Sequence, residues 1–470
     1  MDDDVDVLVI GSGAAGMAAA ITAAELGLRA IVVDEQSAPG GQIYRGITTV
    51  AASMAARLGP DYAHGRALAD ALAAARVVVE SDTTVWDVDA DLNVATLREG
   101  VARQVRARHL VVATGALERA VPVPGWTLPG VMFAGATQLM LKTASSVPSG
   151  RVVLAGNGPL LLLVANQLLE AGANVVALAE TTGFRQVLAG APHLPRALGA
   201  AAYLAKGMAM TRGLRRSGVK WIRGVTALSV LGGERAEALE VASGRGVERI
   251  DADLVLLHVG VIPNTQLTRL MRLDHGWDDM QQSWRPRVDR WGRSSNARVS
   301  IAGDGAGIGG ARVAEASGRI AALDAAFALG KLEEGERDRR AAAAHAEVRQ
   351  HLRIRPMLDA MYRPPAWITC PPDETIVCRC EEVTAGEVRR RTKLGCLGPN
   401  QTKAFSRCGM GPCQGRMCGP TVAAILAAEN GLDPEEVGQY RIRPPLKPVP
   451  IGAIAALATT TRTHEPSETT

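Results

Sequence analysis

Residues 5–36, VDVLVIGSGAAGMAAAITAAELGLRAIVVDEQ, decide the fold. The apolar run from Val5 to Ile10 has the length of a strand buried on both faces. It meets Gly11, Gly13 and Gly16, passes into an Ala-rich helical stretch, and returns as a second apolar run ending at Asp34-Glu35. Strand, glycine turn, helix and strand with a terminal acid make up the dinucleotide fingerprint in its full context. Gly11 permits the tight turn, Gly13 lets a pyrophosphate approach the backbone, and Gly16 lets the helix pack on the strand. The helix N-terminus adds free N–H groups and partial positive charge. The expected contacts are Gly11, Ser12, Gly13, Ala14, Ala15 and Gly16. Glu35, beside Gln36, is the expected partner of the ribose hydroxyls, with Asp34 as second choice.

Outward from this stretch, 470 residues with 47 % apolar content suffice for two to four domains with sizeable cores. A net charge of +4 points to no nucleic-acid or membrane partner. The start, MDDDVDV, has the features of neither a signal nor a transit peptide. No apolar run of about 18 residues lacks both Gly and charge, so no membrane span is expected. All seven cysteines lie between Cys370 and Cys418. Scattered disulfides are the mark of an oxidising compartment, so a reduced cytoplasm and a local metal site are expected instead.

Further along, APGGQIYR places Gly41 and Gln42 in a Gly-Gly turn. Short alternating runs, VVVE, TTVWDV and ATLRE, predict a strand meander, and HLVVATG delivers Ala113, Thr114 and Gly115 to another tight turn. At Arg151 the opening logic repeats: strand, Gly156 and Gly158, apolar helix, strand and terminal Glu180. Leu161 occupies the third glycine position, so the second fit is degraded. Residues from about 185 to 217 read as helical and basic. RVSIAGDGAGIGGARVAEASG then brings a strand to Gly303-Asp304 and a helix to Gly310. Asp304 can accept hydrogen bonds there, and the helix start can stabilise negative charge; a plain cap or turn aspartate is the alternative.

GSGAAG, PGGQIYR, VVATG and IAGDG, in that order, resemble the two-dinucleotide-binding-domain flavoproteins of the glutathione and thioredoxin reductase type. The resemblance implies FAD on Gly11, Gly13, Gly16, Glu35, Gly41, Gln42, Gly115 and Asp304. Disulfide reductases of that group carry a redox cysteine pair, and no cysteine precedes Cys370 here, so thiol–disulfide exchange in this body is excluded. The second fold, with Gly156, Gly158 and Glu180, is expected to hold NAD(H) or ATP. NADP is disfavoured, because TTGF follows Glu180 and supplies no arginine for a 2′-phosphate.

After a charged Ala-rich stretch, Gly330 to Ile354, read as a helix with a solvated face, the pattern breaks at MYRPPAWITCPPDE. Cys378 and Cys380 share one side of an extended segment. Cys408 and Cys413, spaced by GMGP, can close around a metal. Four thiolates suit a 2Fe-2S cluster or zinc. Cys396 and Cys418 are rivals for the fourth position, and Cys370 reads as a plain thiol.

CRCEEVTAGEV followed by SRCGMGPCQGRMCG looks like the bacterioferritin-associated ferredoxin type of 2Fe-2S domain. By that pattern the ligands would be Cys378, Cys380, Cys408 and Cys413. A flavin body joined to this domain resembles the A or alpha subunits of opine (octopine and nopaline) oxidases, hydrogen cyanide synthase, hydroxyproline dehydrogenases and related sarcosine oxidases. In such assemblies a C–N bond is oxidised on a partner flavin subunit. The resemblance implies an electron-relay role beside that partner, with a downstream electron acceptor and a further small subunit. His109, His193 and His258 read as ordinary residues, so no catalytic residue is assigned. Alternatives are a self-contained NADH:acceptor oxidoreductase and a zinc-stapled assembly subunit.

The expected fold class is α/β: two Rossmann-like domains and a small helical iron–sulfur domain. The FAD domain would take residues 1–148 and 266–330, around a second dinucleotide domain at 149–265. A helical linker (331–369), a 2Fe-2S domain (370–435) and a tail (436–470) would follow.

Overall fold

The computed structural model describes residues 4–462; residues 1–3 of the acidic start and 463–470 of the tail lie outside the described residues. The strand Asp4–Ile10 pairs in parallel with Ala30–Val33 on one side and with Val101–Val112 on the other, Leu8 facing both Ile31 and Leu110 in register. Val78–Glu80 extends one edge. Asn93–Arg98 and Thr84–Val88 extend the other as an antiparallel meander, and Val299–Ile301 returns to pair with the end of Val101–Val112. The fully buried Val7, Leu8 and Val9 explain the unbroken apolar run, because a parallel strand is covered on both faces. The strand Val101–Val112 is longer than the quoted HLVVATG; its first half alternates, with Val105 and Ala107 buried and Arg106 and Arg108 exposed.

A second, wholly parallel sheet is ordered Lys220–Arg223, Asn174–Glu180, Arg151–Asn157, Leu254–Val259, Val131–Phe133. The antiparallel strands Val225–Leu231, Ala238–Ser243 and Gly246–Asp251 accompany it. A two-stranded ribbon, Ala116–Glu118 with Val261–Pro263, carries the chain out of the first unit and back. The basic stretch after Glu180 forms the helices Phe184–Gly190, Leu194–Leu198 and Ala201–Arg216.

The charged stretch after residue 330 forms the helix Glu334–His351, which has the expected solvated face and docks by the opposite one. Arg337 is buried against the rings of Trp291 and Phe327, and it pairs with Asp324, which Arg293 also holds at 2.5 Å. The buried Asp324 carboxylate needs both guanidiniums to offset its desolvation. The cysteine-bearing end is small: a ribbon of Ile376–Cys378 with Val383–Thr384, then the helices Ala385–Thr392, Pro399–Ser406 and Gly419–Asn430. Thr384 and Glu387 form a capping box that starts the first of these helices. This unit shares one apolar core with the first sheet, in which Val85, Leu92 and Leu110 join Val377, Val422 and Leu426. No helix among the described residues is long and apolar enough to cross a membrane.

Candidate functional site

The glycine turn is built by close approach. Gly11 has φ of +102°, and a methyl there would lie 2.5 Å from the Ala113 carbonyl oxygen, so only glycine brings the first strand against the Ala113-Thr114-Gly115 turn. A methyl at Gly16 would overlap the Gly11 carbonyl. Gly41, at φ +57°, passes the other side of the turn, where an added carbon would sit 2.7 Å from the Gly13 Cα. The Gly40 amide donates to the Ser12 carbonyl and ties the two loops together. Gly303 comes within 2.9 Å of the Ala15 side chain by the same measure, and Gly305 faces Gly115. Four segments distant in sequence therefore converge on one end of the sheet, around the start of the helix Ala14–Glu25.

The acids take separate places. Asp34 accepts from the Ser12 amide at 2.5 Å and the Ser12 hydroxyl at 2.7 Å, with its other oxygen on the Gln36 amide at 2.8 Å. It braces the turn. Glu35 lies at the rim, ion-paired with Lys447. Asp304 accepts from the Gly309 and Gly310 amides at 2.8 and 2.9 Å through a single oxygen, Oδ1, which leaves Oδ2 for another donor. It ties down the loop that leads into the helix Ala311–Ala328. Lys142, which sequence pattern did not single out, reaches across from the second unit. Its buried ammonium donates to the carbonyls of Gln42 and Ile43 at 3.2 and 2.9 Å, and burial pulls its pKa down to about 7.

In the second unit, Gly156 again presses on a neighbouring backbone, at His258. Leu161 is fully buried among Leu154, Leu168 and Leu178. Glu180 is buried and already engaged, by Trp221 Nε1 at 3.0 Å and Arg223 at 3.4 Å; burial raises its pKa while Arg223 opposes the rise. The Asn157 amide, at the end of the adjacent strand, donates to the Arg363 carbonyl at 3.5 Å, so the linker crosses this crevice. His258, which faces Gly158, is held through Nδ1 by Glu118 at 2.6 Å, and Glu118 also accepts from the Gly135 amide. His109 meets only the Ser300 hydroxyl.

In the third unit, the thiols of Cys378, Cys408 and Cys418 lie within 4.8 Å of one another, all buried. Cys380 and Cys413 form a neighbouring pair nearer the surface. Hydrogen bonds from the Cys408 and Cys418 thiols and from the amides of Gly409 and Glu381 pull the pKa of Cys378 far down, while the hydrogen bond that Cys408 donates to Cys378 pushes Cys408 up. Thiolates are the metal-binding form, and soft sulfur donors with backbone N–H groups turned toward sulfur suit an iron–sulfur or zinc centre. The Tyr440 ring backs the cysteine loop so closely that side chains at Gly409 and Gly415 would collide with it. Cys396 is buried apart from this group, its carbonyl accepting from Asn430. Cys370 contacts the Ala424 carbonyl.

Two Rossmann-like units on one chain, with a glycine cradle in the first, define a FAD-dependent oxidoreductase. Residues 5–326 match the family of pyridine nucleotide-disulphide oxidoreductases, and residues 373–458 match the sarcosine oxidase A3 domain. The A subunit of opine oxidase from Agrobacterium tumefaciens is 44 % identical over 98 % of this chain and 93 % of that protein. The hydrogen cyanide synthase subunit HcnB of Pseudomonas protegens is 32 % identical over 95 % and 96 %. The L-proline dehydrogenase structure from P. horikoshii shares the fold, with a TM-score of 0.69 at 16 % identity over 96 % of this chain and 79 % of that one. The chain belongs to the pyridine nucleotide-disulphide oxidoreductase family, grouped with the opine oxidase A subunits, and is one subunit of a heteromeric flavin oxidoreductase.

Proposed function

We propose that this chain is the electron-transferring FAD and 2Fe-2S subunit of a cytoplasmic dehydrogenase or oxidase. Its partner flavin subunit would oxidise the C–N bond of an opine, imino acid or amino acid. The observation that carries the reading is the five-thiol group on the same apolar core as the flavin unit. Bound FAD would supply two-electron acceptance with single-electron release, and a cluster would supply one-electron storage. The chain's residues hold these groups and limit access to them. Gly11, Gly13 and Gly41 leave room for a pyrophosphate, Asp34 keeps the Ser12 amide in place, and Asp304 presents its remaining oxygen at the far end. Cys378, whose pKa is lowered by the hydrogen bonds it accepts, is the first candidate ligand, with Cys408 beside it, and Cys380 and Cys413 completing the set. The likeness to an opine oxidase supports the substrate class. The second unit is read as a holder of NAD(H) or ATP on its Gly156 and Gly158 turn, in a mainly structural role, since Glu180 is shared with Trp221 and Arg223.

Anaerobic purification with iron analysis and electron paramagnetic resonance tests the relay. Iron should be lost in Cys378→Ser and Cys413→Ser and retained in Cys370→Ser and Cys396→Ser. Loss in Cys418→Ser with retention in Cys413→Ser would move the fourth ligand to the buried trio. An iron-free, zinc-loaded preparation would overturn the relay, and so would turnover of an opine by this chain alone.

A further inference from the structure

Between the flavin unit and the cysteine unit lies a cavity of about 50 Å³ whose polar lining has little to bind. Gln266 and Ser283 line it at 5 % and 6 % exposure, and Gln266 Oε1 and Ser283 Oγ lack a nitrogen or oxygen partner. Tyr440 lines it too, but its hydroxyl is turned to the Cys408 sulfur. Trp284 Nε1 and Arg416 Nε are buried and unpartnered on the same walls. An orphaned buried polar atom costs about 1–3 kcal/mol, so four around one space signal a missing partner rather than loose packing.

Charge identifies its kind. Arg269 and Arg416 line the cavity and no acidic side chain does. Arg269 donates to the Tyr440 carbonyl, burial lowers its pKa to about 10, and Arg272 adds further positive charge. Neither Arg269 nor Arg416 has an ion pair among the described residues. Buried guanidinium without a counter-charge is costly. Three of the four orphans can donate a hydrogen bond, and only the Gln266 oxygen is purely an acceptor. A water needs roughly 10–15 Å³ of such space, so the cavity suits an oxyanion of about four or five heavy atoms.

We infer that this cavity binds a small oxyanion, a carboxylate or a phosphate, held by Arg269 and Arg416 with Ser283 and Trp284 as donors. The ligand would clamp two units, because Arg269, Ser283 and Trp284 belong to the flavin side, and Arg416 and Tyr440 to the cysteine side.

Calorimetric titration of the FAD-loaded full chain with inorganic phosphate, and separately with acetate, tests the site while Trp fluorescence is followed. One saturable site is expected for at least one anion, and which of them saturates tells phosphate from carboxylate. Arg416→Gln should weaken it about 10-fold or more, the worth of a charge-assisted hydrogen bond. Arg212→Gln, on an exposed helix face, should leave it unchanged. Where Arg416→Gln fails to fold, a bromide-soaked crystal of the unaltered chain should show an anomalous peak between Arg269 and Arg416. No saturation with either anion, binding indifferent to Arg416→Gln, or a cavity holding ordered water alone under bromide overturns the inference. None of these results bears on flavin or iron content, so the relay reading is tested apart.

Discussion

The two nucleotide units share a strand–turn–helix–strand path and have opposite interiors at the turn. In the first, Gly16 and Gly303 let helix backbones crowd the glycine loop, and Gly318 on the helix Ala311–Ala328 packs directly on Ala15. In the second, Leu161 fills the corresponding space with side chain, and Glu180 has turned to Trp221 and Arg223. A duplicated fold thus keeps its topology through backbone constraints at Gly11 and Gly156, while its ligand chemistry drifts through side chains. The lesson is that a first glycine certifies the turn, and the third glycine with a free acid bears on whether a nucleotide can use it.

The largest break in this comparison should come from Gly13→Val. An added carbon at Gly13 meets only the Gly41 Cα at 3.7 Å, so the protein should fold and yet lose FAD completely, scored by absorbance of the purified chain. Gly158→Val, at the matching turn of the second unit, should stay yellow. Next comes Leu161→Ala, which should cost about 3 kcal/mol in urea unfolding through the cavity it opens, without displacing FAD from the folded protein. A second Gly-type turn would not show this dependence.

Acid offers a smaller contrast. His109, in the strand beside the first turn, is buried against a hydroxyl, and burial lowers its pKa from the ordinary 6.5 to about 4. The unfolded chain therefore takes up a proton first as pH falls. His109 costs no stability above about pH 7 and destabilises progressively between about 6.5 and 4, by about 2 kcal/mol at pH 5. Urea curves at the two pH values check this, and His109→Gln should flatten the difference. His258, in the matching strand of the second unit, faces the Glu118 carboxylate at 2.6 Å instead of a hydroxyl. The smallest effect expected is from NADH: anaerobic stopped-flow mixing should show slow or no flavin bleaching, and bleaching within milliseconds would restore the second unit as a hydride port.

What the sequence made legible is what short range dictates. The glycine turns and the parallel strands could be read because their constraints act within a few residues. Lys142 could not, since its partners Gln42 and Ile43 lie about a hundred residues away and no periodicity marks it. Cys418 could be named only as a rival for the same reason: spacing tells which thiols are near in sequence, not which ones a ribbon and a helix turn inward. Which arginine of the charged helix Glu334–His351 turns inward could not be read, because a solvated arginine and one sandwiched between Trp291 and Phe327 have the same letter.

The segment after Tyr440 runs back along the flavin unit. Leu446 donates its amide to the Trp86 carbonyl, Pro445 accepts from Gln414, and Lys447 closes on Glu35 at the rim of the first turn. During synthesis the last strand of the first sheet, Val299–Ile301, emerges well before this strap. The rim of the first turn is therefore open while the cysteines are still being made, and its closure waits on the thiol-bearing unit to dock.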